Sequence, residues 1–376
     1  MEKIGRSVGE ILPSAKHPRN TEGDFALLSD GRIIFAFSRF IGASSDNSRA
    51  EIAAVFSSDG GESFDGERTL LSLGDGDNNL MSVSFLPMLD GALGIFYLRK
   101  FTSESGKSCC VPYCRRSYDD GESWSEPVRC IEDDDYYVLN NNRVIRLADG
   151  RVMFAVALHR DEADVGEACF FVSDDDCKSF KPIGETLKLP FDHPFTGLQE
   201  PGICQLPDGR IWMWARTGHG FQFESYSEDG GKSFSPVRPN EFFTSPNSPM
   251  SVKRLRDGRL VSVFNPIPNY NTRFPLEDGE DVNTAHHKKR LYHPYSVYSG
   301  RSPLVLAVGE GDSKGFSPYI KLLEDNDGYN YCYTAIFENE DYLLVSYFTD
   351  SKPKKDEINI KTYGITIKKI MLDELG

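Results

Sequence analysis

One eight-residue pattern, written four times, limits what this chain can fold into. Ser57-Ser58-Asp59-Gly60-Gly61-Glu62-Ser63-Phe64 returns as Ser117-Tyr118-Asp119-Asp120-Gly121-Glu122-Ser123-Trp124 and as Ser227-Glu228-Asp229-Gly230-Gly231-Lys232-Ser233-Phe234. A worn copy, Ser173-Asp174-Asp175-Asp176-Cys177-Lys178-Ser179-Phe180, carries Cys177 in place of the second glycine. The consensus S-x-D-x-G-x-S-aromatic describes a hairpin turn. Its Asp accepts hydrogen bonds from the turn's own backbone, its Gly supplies the left-handed residue, and its aromatic enters the core as the next strand begins.

A second signal precedes each box. Asp30-Gly31, Asp90-Gly91, Asp149-Gly150, Asp208-Gly209 and Asp257-Gly258 each divide two apolar runs, the strongest short-range signature of a β-hairpin. Asn339-Glu340-Asp341 divides Tyr333–Phe337 from Leu343–Phe348 in the same way. Successive turns lie 60, 59, 59, 49 and 83 residues apart, so the chain holds six repeats. Each reads strand, turn, strand, loop, strand, box, strand. The expectation is all-β: a six-bladed β-propeller with four-stranded antiparallel blades, one domain over residues 1–376. The segment near Ile4–Leu12 is expected to complete the last blade. Pro266–Arg290, which ends in His286-His287-Lys288-Lys289-Arg290, reads as a long loop over one face.

Composition narrows the partners. A net charge of −15 argues against nucleic acid and anionic membrane, and requires a local positive pocket for any anionic substrate. No signal-peptide pattern or long apolar run is visible, so a cytoplasmic location is expected. Eight cysteines lack paired metal spacing and read as free thiols; neither metal nor cofactor is called for.

In such a ring the loops of successive repeats converge, so a site must draw single residues from many repeats. Arg19 precedes the first hairpin, Arg216 ends Trp212–Ala215, and Arg301 opens Pro303–Val308. Three guanidinium forks meeting at one point suit a carboxylate.

Four boxes on six repeats resemble the sialidase (neuraminidase) superfamily, over essentially the whole chain. The resemblance implies an arginine triad, an aspartate acid/base, and a tyrosine nucleophile paired with a glutamate. Arg19, Arg216 and Arg301 are similar to the triad. Asp46, in Ser44-Ser45-Asp46-Asn47-Ser48, stands where the family has its acid/base, with Glu22 and Asp24 as competing acids. Glu200 precedes Arg216 by 16 residues, and Tyr333 follows Arg301 by 32; Tyr331 and Tyr329 compete with Tyr333. Asn265 is taken as a substrate contact, and Asn140, Asn141, Asn142, His159 and His193 are further residues for the pocket wall. His17-Pro18-Arg19-Asn20 departs from the family, which has an aromatic before its first arginine and Ile-Pro after it. The departure leaves the sugar open. The implied activity is a retaining exo-sialidase-like glycoside hydrolase acting on a sugar that carries a carboxylate. The alternatives are hydrolysis of another ulosonic or acidic sugar and a carbohydrate-binding propeller without turnover.

Overall fold

The computed structural model describes residues 2–160, 165–190, 196–267, 301–326, 329–351 and 362–376. Most of Pro266–Arg290, with its basic run, and His193 lie outside the described residues. Strand β1 (Arg6–Ile11) leaves the N-terminus, and β2 (Asn20–Leu27), β3 (Ile33–Phe40), β4 (Ala50–Ser57) and β5 (Asp65–Leu71) form the first four-stranded sheet. A nine-stranded sheet follows. It joins β6 (Asp77–Pro87), β7 (Leu93–Thr102), β8 (Ser108–Ser117) and β9 (Val128–Arg129) to β11 (Ile145–Arg146), β12 (Val152–His159), β13 (Gly166–Ser173) and β14 (Lys181–Pro182). The splice is β10 (Tyr136–Val138), antiparallel to β12 and parallel to β8 through Tyr136 and Cys110.

Two more four-stranded sheets hold β15 (Gln199–Gln205) to β18 (Arg238–Thr244), with β16 (Ile211–Arg216) and β17 (Phe221–Ser227) between, and β19 (Ser251–Arg254), β20 (Leu260–Phe264), β21 (Leu304–Gly309) and β22 (Lys321–Glu324). The last sheet joins β23 (Tyr329–Glu338), β24 (Tyr342–Ser351) and β25 (Thr362–Met371) to β1, which pairs with β25. The protein is thus all-β, and the N-terminal segment completes the C-terminal sheet as expected. First strands neighbour one another: β2 lies against β6 and β23, and β19 against β15 and β23, while β15 also lies against the second strand β12.

Middle strands are apolar on both faces because each sheet is covered on both sides. All eight residues of Ile33–Phe40 are buried, whereas the outer strand Asp65–Leu71 is largely solvated. One core joins Phe25, Phe35 and Phe37 to Leu344, Ile365 and Ile367 of the last sheet. Another stacks Phe170 on the box aromatic Phe234 at 4.0 Å. Each such buried ring stabilises the fold by about 1.5–3 kcal/mol.

The boxes form the expected turns. Asp59 Oδ1 accepts from the backbone N–H groups of Glu62 and Ser63 at 3.0 Å, and its other oxygen accepts from the Ser63 hydroxyl. Ser57 donates to Asp59 and accepts from the Gly61 N–H. The worn copy makes the same bonds through Asp175, with Cys177 held at φ +68°. These donors hold the carboxylates low: Asp119, bonded first by the Ser123 hydroxyl, lies at about 2. All eight cysteines are free and buried.

Candidate functional site

The site is built at the ends of the first strands that face away from the Asp-Gly turns. There β2, β6, β15 and β23 each carry a bulge, at Thr21/Asp24, Met81/Ser84, Gln199/Gly202 and Cys332/Ala335. In every one the first extra residue is left-handed and is not glycine: Glu22 (φ +53°), Ser82 (+58°), Glu200 (+46°) and Tyr333 (+51°). Each stands eight residues before Asp30, Asp90, Asp208 or Asp341. The third repeat has Asn141 there, with Asn142 left-handed at +57°. The fifth has Pro249, whose ring forbids a positive φ. Such residues cost about 1–3 kcal/mol each, and this kind of strain gathers at functional sites. This common register brings Glu22, Ser82, Glu200 and Tyr333 to one level. Ser82 had no part in the sequence reading; the constant eight-residue offset is the signal that finds it.

Tyr333 is the centre of the charges. Burial pushes its phenol well above the ordinary tyrosine range, and the Glu200 carboxylate pushes it further. Arg301 and Arg216 act on it in the opposite sense, and Arg19 is electrostatically coupled to it as well. The Arg301 guanidinium lies 5.6 Å from the Tyr333 ring centroid. Tyr331, the competing tyrosine, is 2% exposed and packs in the core against Tyr347 at 5.8 Å, while Tyr329 stacks on it. Left-handed Tyr333 breaks strand alternation, which is why two tyrosines two residues apart have different surroundings.

Glu200 accepts from the Asn140 amide at 3.1 Å and lies 3.2 Å from Arg216. Among the described residues no hydrogen bond joins it to the Tyr333 hydroxyl, so the expected tyrosine–glutamate contact is electrostatic in this state. Arg216 also donates to Gln199 at 3.2 Å. Arg301 donates to the Asn247 carbonyl at 3.2 Å and to the Cys332 sulfur at 3.0 Å. Arg19 lies 4.6 Å from the Phe40 ring centroid and donates to Asp46 at 2.5 Å. Several arginine N–H groups remain buried without a hydrogen-bond partner among the described residues: Nε of all three and one terminal nitrogen of Arg216.

Three acids compete near Arg19, and their surroundings differ. Asp46 sits on an exposed loop; desolvation works to raise its pKa, but the charge and hydrogen bond of Arg19 outweigh it and hold the carboxyl below the usual range. Glu22 is enclosed, 3.7 Å from Arg19, and accepts from the Ser82 hydroxyl. Burial raises it to about 7, against the pull of Arg19. Asp24 is raised to about 6 by burial, yet the Phe25 and Phe85 N–H groups and the Asn142 amide occupy both its oxygens. That makes it a brace between strands.

Asn265 is also a brace. It is 1% exposed, accepting from Ser248 and donating to the Pro303 carbonyl. Asn141 ties the Gly23 and Thr334 carbonyls together. His159 is half-buried with its ring edge-on to Tyr136 at 6.0 Å. Beside the Asp46 loop opens a polar cleft of about 350 Å³, lined by Asn47, Arg49, Asp77, Asn78, Asn79, Lys100 and Ser108.

The fold is that of the sialidases. It matches the intramolecular trans-sialidase of Ruminococcus gnavus with a TM-score of 0.68 at 13% identity, covering 99% of this chain and 98% of that one. A protein of unknown function from Dyadobacter fermentans matches with a TM-score of 0.71 at 16% identity, covering 97% and 99%. The BNR repeat-like domain family is matched over residues 75–345, and the chain belongs to that family. A curated relative, an uncharacterized lipoprotein of Staphylococcus epidermidis, is 29% identical over 112 residues; the match spans 30% of this chain and 38% of that protein.

Proposed function

We propose that the five sheets are six propeller blades and that their common opening hydrolyses glycosides of a sugar bearing a carboxylate, sialic acid or a related acid. The nine-stranded sheet counts as two blades spliced by Tyr136–Val138. The neighbour relations of the first strands and the pairing of β1 with β25 support a closed ring.

The observation that carries the chemistry is the electrostatic coupling of one half-buried phenol, Tyr333, to one carboxylate and three arginines from distant parts of the chain. Unpartnered buried N–H groups on those arginines suit an anion, since each is costly to leave unmet. In the proposed reaction the arginines hold the sugar's carboxylate and orient the ring. Tyr333 attacks the anomeric carbon while Glu200 takes the phenolic proton, so the nucleophile approaches the anionic sugar uncharged. Asp46, a carboxylate in the resting site, draws a proton from solvent before it protonates the leaving oxygen, and as the carboxylate it then activates water for the return step. The polar cleft beside its loop is then the side for the leaving group. The trans-sialidase named among the similar structures supports the same substrate class, and the staphylococcal lipoprotein favours a surface location over the cytoplasm.

One observation favours a second reading, a sugar-binding propeller without turnover. Glu200 is engaged by Arg216 and Asn140 and makes no hydrogen bond to Tyr333. Catalytic contacts often tighten only when substrate is bound. Incubation with a fluorogenic sialoside, beside a panel of other acidic-sugar glycosides, decides between the readings. Release of the fluorophore from any of them supports the hydrolase; binding of the free sugars without release supports the second reading.

A further inference from the structure

The scheme above leaves one pocket carboxyl without a part. Glu22 occupies the same bulge position as Glu200 and Tyr333 and is 5% exposed. One of its oxygens accepts from Ser82, and the other faces Arg19 at 3.7 Å. The groups acting on it come from five elements. Arg19 immediately precedes its strand, Ser82 is on β6, Cys110 on β8, Glu200 on β15, and Asp46 on the loop after β3. Lys100, from β7, is turned to the Asp46 carbonyl at 2.9 Å. Arg19 is therefore shared: one terminal nitrogen engages Asp46, and the other looks toward Glu22.

A carboxylate arriving at Arg19 enters between two acids that already draw on that guanidinium. Carboxylates crowded onto one cation do not all remain charged, and the one worst solvated takes the proton. Asp46 is exposed to water, whereas Glu22 is enclosed against Ser82. We propose that binding of an acidic sugar at Arg19 is coupled to the uptake of one proton by Glu22, which then serves as a neutral positioning group. The proton comes from solvent, remains on the carboxyl while the anion is bound, and returns to solvent when the anion leaves. The inference rests on the reading of the arginines as the carboxylate site. Below about 7 Glu22 already holds its proton in the free protein, and binding needs none. Above that, affinity falls by up to about tenfold per pH unit until the bound-state pKa is reached.

The test is calorimetric titration with 2-deoxy-2,3-didehydro-N-acetylneuraminic acid in buffers of different ionisation enthalpy. The wild type should take up between about half a proton and one proton per anion at pH 8, and close to none at pH 5.5. Glu22→Gln should bind with no uptake and with an affinity that is flat from pH 6 to 9. Ser82→Ala removes a hydrogen bond that favours the charged carboxyl, so its uptake window should move to higher pH. Wild-type binding at pH 8 without uptake overturns the proposal. So does full uptake by Glu22→Gln, which would put the proton on Asp46. Should Glu22→Gln fail to fold, the wild-type buffer series and Ser82→Ala still decide. If neither this probe nor any other acidic sugar binds the wild type, the arginine reading fails and the coupling with it, an outcome distinct from binding without a proton.

Discussion

The two ends of these sheets repeat different things. At the box end the chain repeats residues: Asp59, Asp119, Asp175 and Asp229 each bind the same backbone N–H and the same hydroxyl four positions on. At the other end it repeats a backbone deformation and changes the residue, placing Glu22, Ser82, Glu200 and Tyr333 on equivalent bulges. A turn has one good solution, so its residues recur. A binding site needs unlike groups around one ligand, so the scaffold recurs and the side chains do not.

Substitutions at the two ends should therefore fail differently. The largest effect is expected for Tyr333→Phe, which keeps the ring and removes only the hydroxyl. Turnover of an acidic glycoside should fall by about 10³-fold or more while binding of the free sugar survives. Unchanged kcat would remove Tyr333 from the mechanism and leave the bulge as a shape without chemistry. Next, Arg216→Ala should weaken binding of an anionic sugar by about 10–100-fold, the worth of a charge-assisted hydrogen bond. It also frees Glu200 from its ion pair, so a neutral sugar analogue titrated in parallel serves as the control; equal losses for both would mean that the pocket had collapsed.

At the box end, Asp59→Ala should lower the melting temperature by a few degrees and leave kcat/KM unchanged. Acid should act on all four boxes. Their carboxylates are depressed in the folded state, so the stability they lend is complete above the unfolded value near 4 and is lost as pH falls toward about 2 at Asp119 and Asp175. A melting temperature that rises from pH 4 to pH 2 would contradict this. The smallest effect is expected for Cys177→Gly. It relieves a left-handed residue where the other boxes have glycine, and it loses a small buried thiol; the two offset to within about 1 kcal/mol. Denaturant unfolding that showed a loss of several kcal/mol would give the worn box a packing role of its own.

The readable part of the site was the part carried by spacing. The intervals Arg19 to Asp46, Glu200 to Arg216 and Arg301 to Tyr333 are visible in the chain, and the structure brings Glu200 and the three arginines within electrostatic reach of the Tyr333 phenol, with Asp46 on Arg19. At Asn265 a polar residue at a strand end looks alike in the chain whether it faces a ligand or braces Ser248 and Pro303, as it does here. Tyr331 and Tyr333 could not be separated by alternation, since alternation breaks at the bulge. Glu22 stood among competing acids with nothing to show that Ser82, sixty residues away, would close over it.

By itself the sequence determined the turns, the boxes and the all-β character. Each of these depends on residues within a few positions of one another, where side-chain chemistry and backbone conformation are coupled directly. Only the tertiary structure decided which acids are enclosed, which tyrosine meets the arginines, and which polar groups are already satisfied. Those properties are sums over neighbours from distant repeats. The left-handed backbone that aims Glu22, Ser82, Glu200 and Tyr333 is imposed by the pairing of whole strands, not by the residues that bear it.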